Sequence, residues 1–364
     1  MDAAEQEIYI GVTLAGCYLI EAHLGSGNFS GVFRATDQHT EREVAVKILS
    51  FRSSHSADAR IEFDGEKALL ELLSGCSHVV NRVDDGTHQL ELAAPGGAIV
   101  KFDVPYLVLE LADGCLAELL LNRARLPWQA RLELYRDLVK GVHQMHLSNV
   151  VHRDVKSDNS LVFSRPQGAK IADLGRSKNT ADPSRFVAEA YEVGRGDLRF
   201  APPELLWKCG TEDPNDMARV DLFLLGSLFF EIATGVAITQ LALIDPLAIL
   251  TAASRLPRLA READLRVRTH ELREQFMPAY DLFEREMPSH LRDPAVRLLR
   301  QLTDPDPTAR VPAFRQRSLP PWDLQWLIQK VDVLLKMEAY NTGARRRITR
   351  PTRRARPARK GTRT

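Results

Sequence analysis

The chain has 364 residues, of which 44% are hydrophobic and 27% charged. That mixture excludes disorder as the main state and excludes a small disulfide-stapled scaffold, and the length allows about two domains or lobes. The formal net charge of +1 conceals an asymmetry: ten of the 49 basic residues and none of the 48 acidic ones fall in Ala344–Thr364, which leaves −9 on the rest of the chain.

The opening MDAAEQEIYI carries acids where a secretory signal carries a basic region, so no signal peptide is expected and residues 1–17 read as a leader. Residues 18–111 read mainly as strands: YLIEAHL, GVFRAT, EVAVKIL and YLVLEL are short and rich in β-formers. One helix interrupts them near Ala57–Leu73, with Ile61, Leu69, Leu72 and Leu73 at helical spacing. From Leu116 the pattern turns helical, over Leu116–Leu121, Trp128–His146, Leu222–Gly235, Asp264–Glu286, Pro294–Leu302 and Trp322–Tyr340. A strand-rich first third followed by a helical remainder is an α+β pattern in two lobes. The apolar stretch Val220–Leu250 is broken by Asp221, Glu231 and Asp245, so no transmembrane segment is expected. Cys17, Cys76, Cys115 and Cys209 form no C-x-x-C pair, which favours reduced, mostly buried thiols and a cytoplasmic protein. Residues 341–364 hold almost no apolar side chain and are expected to be disordered.

Chemistry is carried by four places along this pattern. Leu24-Gly25-Ser26-Gly27-Asn28-Phe29-Ser30-Gly31-Val32 has the spacing G-x-G-x-x-G, but strand, turn and strand follow it, not the helix a dinucleotide-binding fold requires. Glycines between two strands make a flap whose N–H groups can lie over a triphosphate; the same letters also fit a hairpin with no ligand. Lys47 ends the apolar run Val44-Ala45-Val46, where its ammonium needs a partner. Glu66 is preferred over Glu62 and Glu71, because it shares the helix side of Leu69, Leu70 and Leu73. In His152-Arg153-Asp154-Val155-Lys156-Ser157-Asp158-Asn159 a carboxylate, a cation and an amide project from one short loop, the set a phosphotransfer site needs. Asp173 follows 19 residues after Asp154 and offers a hard oxygen ligand suited to Mg²⁺.

In this order, and with Asp173-Leu174-Gly175 and Pro202-Pro203-Glu204 completing it, the chain resembles the eukaryotic-type protein kinase family, in its Ser/Thr branch, over about Tyr18–Arg317. The resemblance implies a bilobal protein kinase fold: a small antiparallel β-sheet lobe with helix C over 18–111, a larger helical lobe over 112–317, a C-terminal helix over 318–340 and the basic tail. It implies ATP and Mg²⁺ as cofactors. Lys47 would contact phosphates and pair with Glu66, the glycine loop Leu24–Val32 would cover them, and Val32, Ala45 and Leu161 would sandwich adenine. Leu109 resembles the gatekeeper, with the backbone of Glu110 and Ala112 as the adenine-binding hinge. Asp154 would take or orient the proton of a Ser or Thr hydroxyl on a protein substrate, Lys156 would steady the γ-phosphate, and Asn159 and Asp173 would hold Mg²⁺. Asp221 would anchor the catalytic loop and Arg310 would pair with Glu204.

Three positions depart from the family. Leu174 replaces phenylalanine, a conservative swap. Asp197 stands where threonine is common, and its carboxylate could pair with Lys156 or repel Asp154. The third departure is in the loop: Arg153 matches kinases switched by loop phosphate, but of the acceptors Ser177, Thr180, Ser184 and Tyr191 no Ser or Thr lies close before Pro202-Pro203-Glu204, with Thr180 and Ser184 as the favoured sites. The basic tail fits three roles: a solvated arm, a contact to nucleic acid or an anionic membrane, or an internal partner and autophosphorylation target through Thr349, Thr352 and Thr362. A pseudokinase that binds nucleotide as a scaffold is the competing reading. Asp197 favours it, while Lys47, Asp154, Asn159 and Asp173 together oppose it.

Overall fold

The computed structural model describes residues 1–27, 29–93, 97–164, 168–182, 197–211, 213–312 and 323–349. The N-terminal part is a six-stranded antiparallel sheet, and the remainder is mostly helical, which is the bilobal kinase architecture. Helix α1 (Ala3–Tyr9) and strand β1 (Thr13–Leu14) come first. Strands β2 (Tyr18–Ser26), β3 (Ser30–Asp37) and β4 (Arg42–Leu49) follow as a meander. Helix α2 (Ala57–Leu72) then crosses to β5 (Arg82–Ala93) and β6 (Ile99–Glu110), giving the sheet order β1-β2-β3-β4-β6-β5.

Residues 1–17 are not a detached leader. Tyr9 and Leu14 are fully buried, and they join Tyr18, Ile20, Phe33, Val46 and Val104 in a core on one face of the sheet. Alternation along each strand sends one set of side chains to that face and the other set to the cleft. β5 has no counterpart in the sequence reading, because Val83-Asp84-Asp85-Gly86 is poor in β-formers; its place at the sheet edge tolerates that.

The helical lobe contains α3 (Leu116–Leu121), α4 (Trp128–Leu147), the short α5 (Pro203–Leu206) and α6 (Pro214–Thr234). Helix α6 is apolar on all sides and almost wholly buried, so it forms the lobe's axis, with Tyr135 stacked on Phe229 at 4.7 Å. Gly226 lets the helix Arg292–Leu302 approach: a Cβ there would lie 2.6 Å from Thr303 Cγ2 and 2.7 Å from Leu302 Cβ. Around α6 lie α7 (Ile238–Ala242), α8 (Pro246–Ser254), α9 (Arg258–Glu286) and α10 (Arg292–Leu302). The C-terminal half of α9 buries Leu272, Phe276, Tyr280 and Phe283, a packing role. Among the described residues, no helix is long and apolar enough to cross a membrane.

The final helix, α11, spans Gln325–Thr349 and packs on α4 through Leu327, Ile328, Val331, Leu334 and Leu335. It therefore runs into residues 341–349, which composition had marked as disordered. Once nucleated by that packing, a helix propagates readily through Ala and Arg, which are good helix formers. The rest of the tail, including Thr352 and Thr362, lies outside the described residues. The four cysteines are free, and all are partly buried. Each stands at the end of an element or in a turn, where a side chain reaches the surface.

Candidate active site

Strands β2 and β3 pair with Ser26 opposite Gly31 and Gly25 opposite Val32, and Gly27 N donates to Ser30 O at 2.8 Å. Leu24, Gly25 and Ser26 thus end β2, Phe29 lies in the turn, and Ser30, Gly31 and Val32 open β3; Asn28 lies outside the described residues. Below this hairpin, Ala45 and Leu109 face each other across β4 and β6 and belong to one apolar cluster, against which Phe29, Val32 and Leu161 pack. This is a slot with an apolar wall from each lobe. Glu110, the last residue of β6, and Ala112 lie at the edge where the chain passes from the sheet to the helical lobe. The Glu110 carboxylate accepts from Lys170 Nζ at 2.7 and 2.8 Å and from Asn81 N at 2.7 Å, which ties that edge to the strand (Gly168–Ile171) leading to Asp173.

Helix α2 buries Ala59, Phe63, Glu66, Leu69 and Leu70, a stripe at helical spacing that contains one carboxylate. Lys47 reaches that carboxylate: Nζ donates to Glu66 at 2.7 and 2.9 Å and to Asp173 Oδ1 at 3.0 Å. Burial opposes the Lys47 charge, but the two carboxylates outweigh it and raise the ammonium pKa, so the cluster is ionic. The Lys47 ammonium in turn holds the Asp173 carboxyl at about 2. Asp173 remains half exposed at the cleft and has a left-handed backbone with φ 59°, a strained conformation for a non-glycine residue.

The loop after α4 is built on Asp221, which is completely buried. One carboxylate oxygen accepts from Arg153 N at 2.7 Å; the other accepts from His152 N at 2.8 Å and lies 2.8 Å from His146 Nε2. Burial raises the Asp221 pKa, but the His146 and backbone contacts reverse this and hold it below the usual carboxylate value. Asp154 N donates to His152 Nδ1 at 3.2 Å, and His152 Nε2 lies 3.1 Å from Ala172 O. These bonds aim Asp154 into the cleft. Asn159 Nδ2 donates to Asp154 O at 2.9 Å and to Asp154 Oδ2 at 3.0 Å. Lys156 Nζ lies 3.2 Å and Arg176 Nε 3.8 Å from the same carboxylate.

The close partner of Asp197 is Arg199, not Lys156; against burial, which raises the Asp197 pKa, Arg199 and the Lys156 charge together lower it. Its carboxylate is held by Arg199, with Nε–Oδ1 at 2.9 Å and Nη2–Oδ2 at 2.5 Å, while the short contact of Lys156 is to Asp154. The Arg two residues along reaches Asp197 first because a guanidinium fork matches a carboxylate edge. Ser177 is buried and its hydroxyl donates to His152 O at 3.3 Å; Thr180 Oγ1 donates to Asn149 O at 3.0 Å. Ser184 and Tyr191 lie outside the described residues.

The sequence reading missed Arg176, Arg199, His146 and the Ser157–Glu231 pair. His146, six residues before His152 on the last turn of α4, was the only one with a usable signal. Ser157 Oγ donates to Glu231 Oε1 at 2.6 Å, and burial pushes the Glu231 carboxyl up to about 6 against that bond. A carboxyl with a raised pKa favours the folded state while protonated. Its contribution is therefore complete below about 4.5 and lost as pH rises through about 6. Between about pH 4.5 and 6.5 the parent is expected to lose about 1–2 kcal/mol of stability relative to Glu231→Gln. Urea unfolding of both proteins at the two pH values measures this, and parallel pH slopes would contradict it.

A small antiparallel lobe, a helical lobe and a cleft lined by Lys47, Glu66, Asp154, Lys156, Asn159 and Asp173 define a protein with the bilobal kinase architecture. The chain belongs to the protein kinase domain family, which matches residues 18–320. It is 30% identical over 221 residues to the serine/threonine-protein kinase PknL of Mycobacterium tuberculosis, covering 60% of this chain and 49% of that protein. It is 29% identical over 213 residues to the serine/threonine-protein kinase PknB of Mycobacterium leprae, covering 58% and 31%. It is also 28% identical over 219 residues, covering 60% and 36%, to a membrane-associated tyrosine- and threonine-specific cdc2-inhibitory kinase of Drosophila melanogaster. The chain thus spans half or less of the length of these relatives.

Proposed function

We propose that this protein is an ATP- and Mg²⁺-dependent serine/threonine protein kinase that also phosphorylates itself. The observation that carries the reading is the Lys47–Glu66 ion pair with Asp173 at 3.0 Å, beside a loop that presents Asp154, Lys156 and Asn159. Adenine would lie between Val32 and Ala45 on one side and Leu161 on the other, with the backbone of Glu110 and Ala112 at its edge.

Asn159 and Asp173 fit a Mg²⁺ ion. Both offer hard oxygens, the Lys47 ammonium favours the ionised form of Asp173, and the Asn159 amide nitrogen is turned towards Asp154. The ion, when bound, would neutralise charge on the phosphate oxygens. The chain's own residues would do the rest. Lys47 would hold the α- and β-phosphates in line. Asp154 would orient the acceptor hydroxyl and take its proton as the oxygen bonds to the γ-phosphorus and the bond to the β-phosphate oxygen breaks. Lys156, 3.2 Å from Asp154, would follow the moving phosphoryl group.

Free thiols at all four cysteines suit work in the cytoplasm. The ten basic residues of the tail suit an anionic partner, nucleic acid or a membrane surface, whose binding would weaken steeply with salt. Incubation with Mg·ATP and a generic protein substrate, followed by mass-spectrometric site mapping, tests acceptor class. Phosphate on Ser and Thr is expected, whereas phosphate confined to Tyr, or transfer only to a small metabolite, would overturn the reading.

A further inference from the structure

The segment before the family match is anchored to the sheet face opposite the cleft. Tyr9 lies against Phe33 of β3, with ring centroids 5.6 Å apart. Glu5 is buried, and its carboxylate accepts from Ser50 Oγ at 2.9 Å and from Phe51 N at 2.8 Å. Asp2 caps α1 by accepting from Glu5 N at 2.9 Å and pairs with Arg52. These contacts fix one end of the segment on the rigid part of the lobe.

The other end reaches the glycine hairpin. Gln6 Nε2 donates to Ser26 Oγ and to Met1 O, each at 3.2 Å, and His23 Nε2 lies 3.0 Å from Ser26 Oγ. The Met1 thioether lies over Gly31, where a Cβ would stand 2.7 Å from Met1 Sδ. Ser26 and Gly31 are opposite each other in the β2–β3 ladder, beside the turn that begins at Gly27. Directly opposed residues project to the same face, and strand alternation puts Gly31 with Phe33 on the side away from Val32 and the slot. The contacts therefore grip both strands of the hairpin near its tip from outside, leaving the nucleotide side clear.

We propose that residues 1–9 are a strap that holds the glycine hairpin in its nucleotide-covering position, with Gln6 as the positioning residue. A glycine-rich flap loses much conformational freedom when it closes over a ligand. A strap that orders it beforehand lowers that cost and shows as tighter nucleotide binding. The inference rests on the cleft being the ATP site. It assigns a role to a segment outside the matched domain.

The test compares the parent, Gln6→Leu, Ser26→Ala and the double variant. Mg·ATP affinity is measured by calorimetry, and hydrogen exchange is measured over residues 24–32. Each single change is expected to weaken ATP binding about three- to tenfold and to speed exchange in the hairpin. The double variant should be weaker than either single one but by less than the sum of the two, because both changes remove the Gln6–Ser26 bond while each also removes a contact of its own, Gln6 to Met1 O and Ser26 to His23 and Met1 O. For Gln6→Leu, kcat at saturating ATP and the KM for peptide should stay at parent values, a split that general destabilisation would not give. Singles that bind ATP as the parent does would overturn the strap alone, and so would full additivity. A parent that binds no Mg·ATP would overturn the nucleotide-site reading, and the strap with it.

Discussion

Arg310→Ala is expected to destabilise the helical lobe by about 3–5 kcal/mol, because it leaves a buried carboxylate without its partner. Arg310 is completely buried, and its Nη1 and Nη2 donate to the two Glu204 oxygens at 2.6 and 2.8 Å. Nη1 also donates to Arg219 O at 3.0 Å and Nε to Asp304 O at 2.9 Å, while the guanidinium lies over Phe223 at 4.9 Å. One side chain thus joins the short helix Pro203–Leu206, the axis helix α6 and the turn after α10. Arg310→Lys should recover only part of the loss, since an ammonium cannot reproduce the two parallel bonds. Glu204→Ala should cost about as much as Arg310→Ala, and the double variant less than their sum. Thermal and urea unfolding measure all four; an Arg310→Ala midpoint equal to the parent's would contradict this account.

Asp154→Asn is expected to lower phosphoryl transfer by about 10²–10⁴-fold while leaving nucleotide affinity nearly intact, the size of a lost general base. The change is isosteric, so the backbone bonds from Asp221 to His152 and Arg153 survive. What is lost is the oxygen that faces Lys156 and Arg176 and the ability to take a hydroxyl proton. Lys47, Glu66 and Asp173, which would hold the phosphates and the ion, form a cluster of their own, and Asn159, which also donates to the lost oxygen, keeps its bond to the Asp154 backbone carbonyl. Binding and chemistry should therefore separate, with Kd for Mg·ATP near the parent value and kcat collapsed.

Much of the site could be read from letters in order, because its parts are short loops whose chemistry is local: the glycine hairpin, the lysine after Val44-Ala45-Val46, and the run from His152 to Asn159. Glu66 was accessible for a different reason, since it is the one acid on the apolar stripe of α2. The strap was not accessible. Helix α1 has only seven residues, too few to show a period, and its role depends on a sheet face that forms from residues far along the chain. β5 was hidden by its acids and glycine, and the extension of α11 by the charge of the residues that carry it. The Asp197–Arg199 pair lies two residues apart, but which cation Asp197 would choose depended on the direction in which Lys156 points, and that is fixed by Asp154 across the loop.

Phosphoryl transfer from this cleft is tested most directly by single-turnover transfer from γ-labelled Mg·ATP, with the parent beside Asp154→Asn. Label on protein Ser or Thr is expected with the parent alone, together with equal nucleotide binding by both. Label in both proteins at one rate, or Mg²⁺-dependent ATP binding by the parent without any transfer, would contradict it.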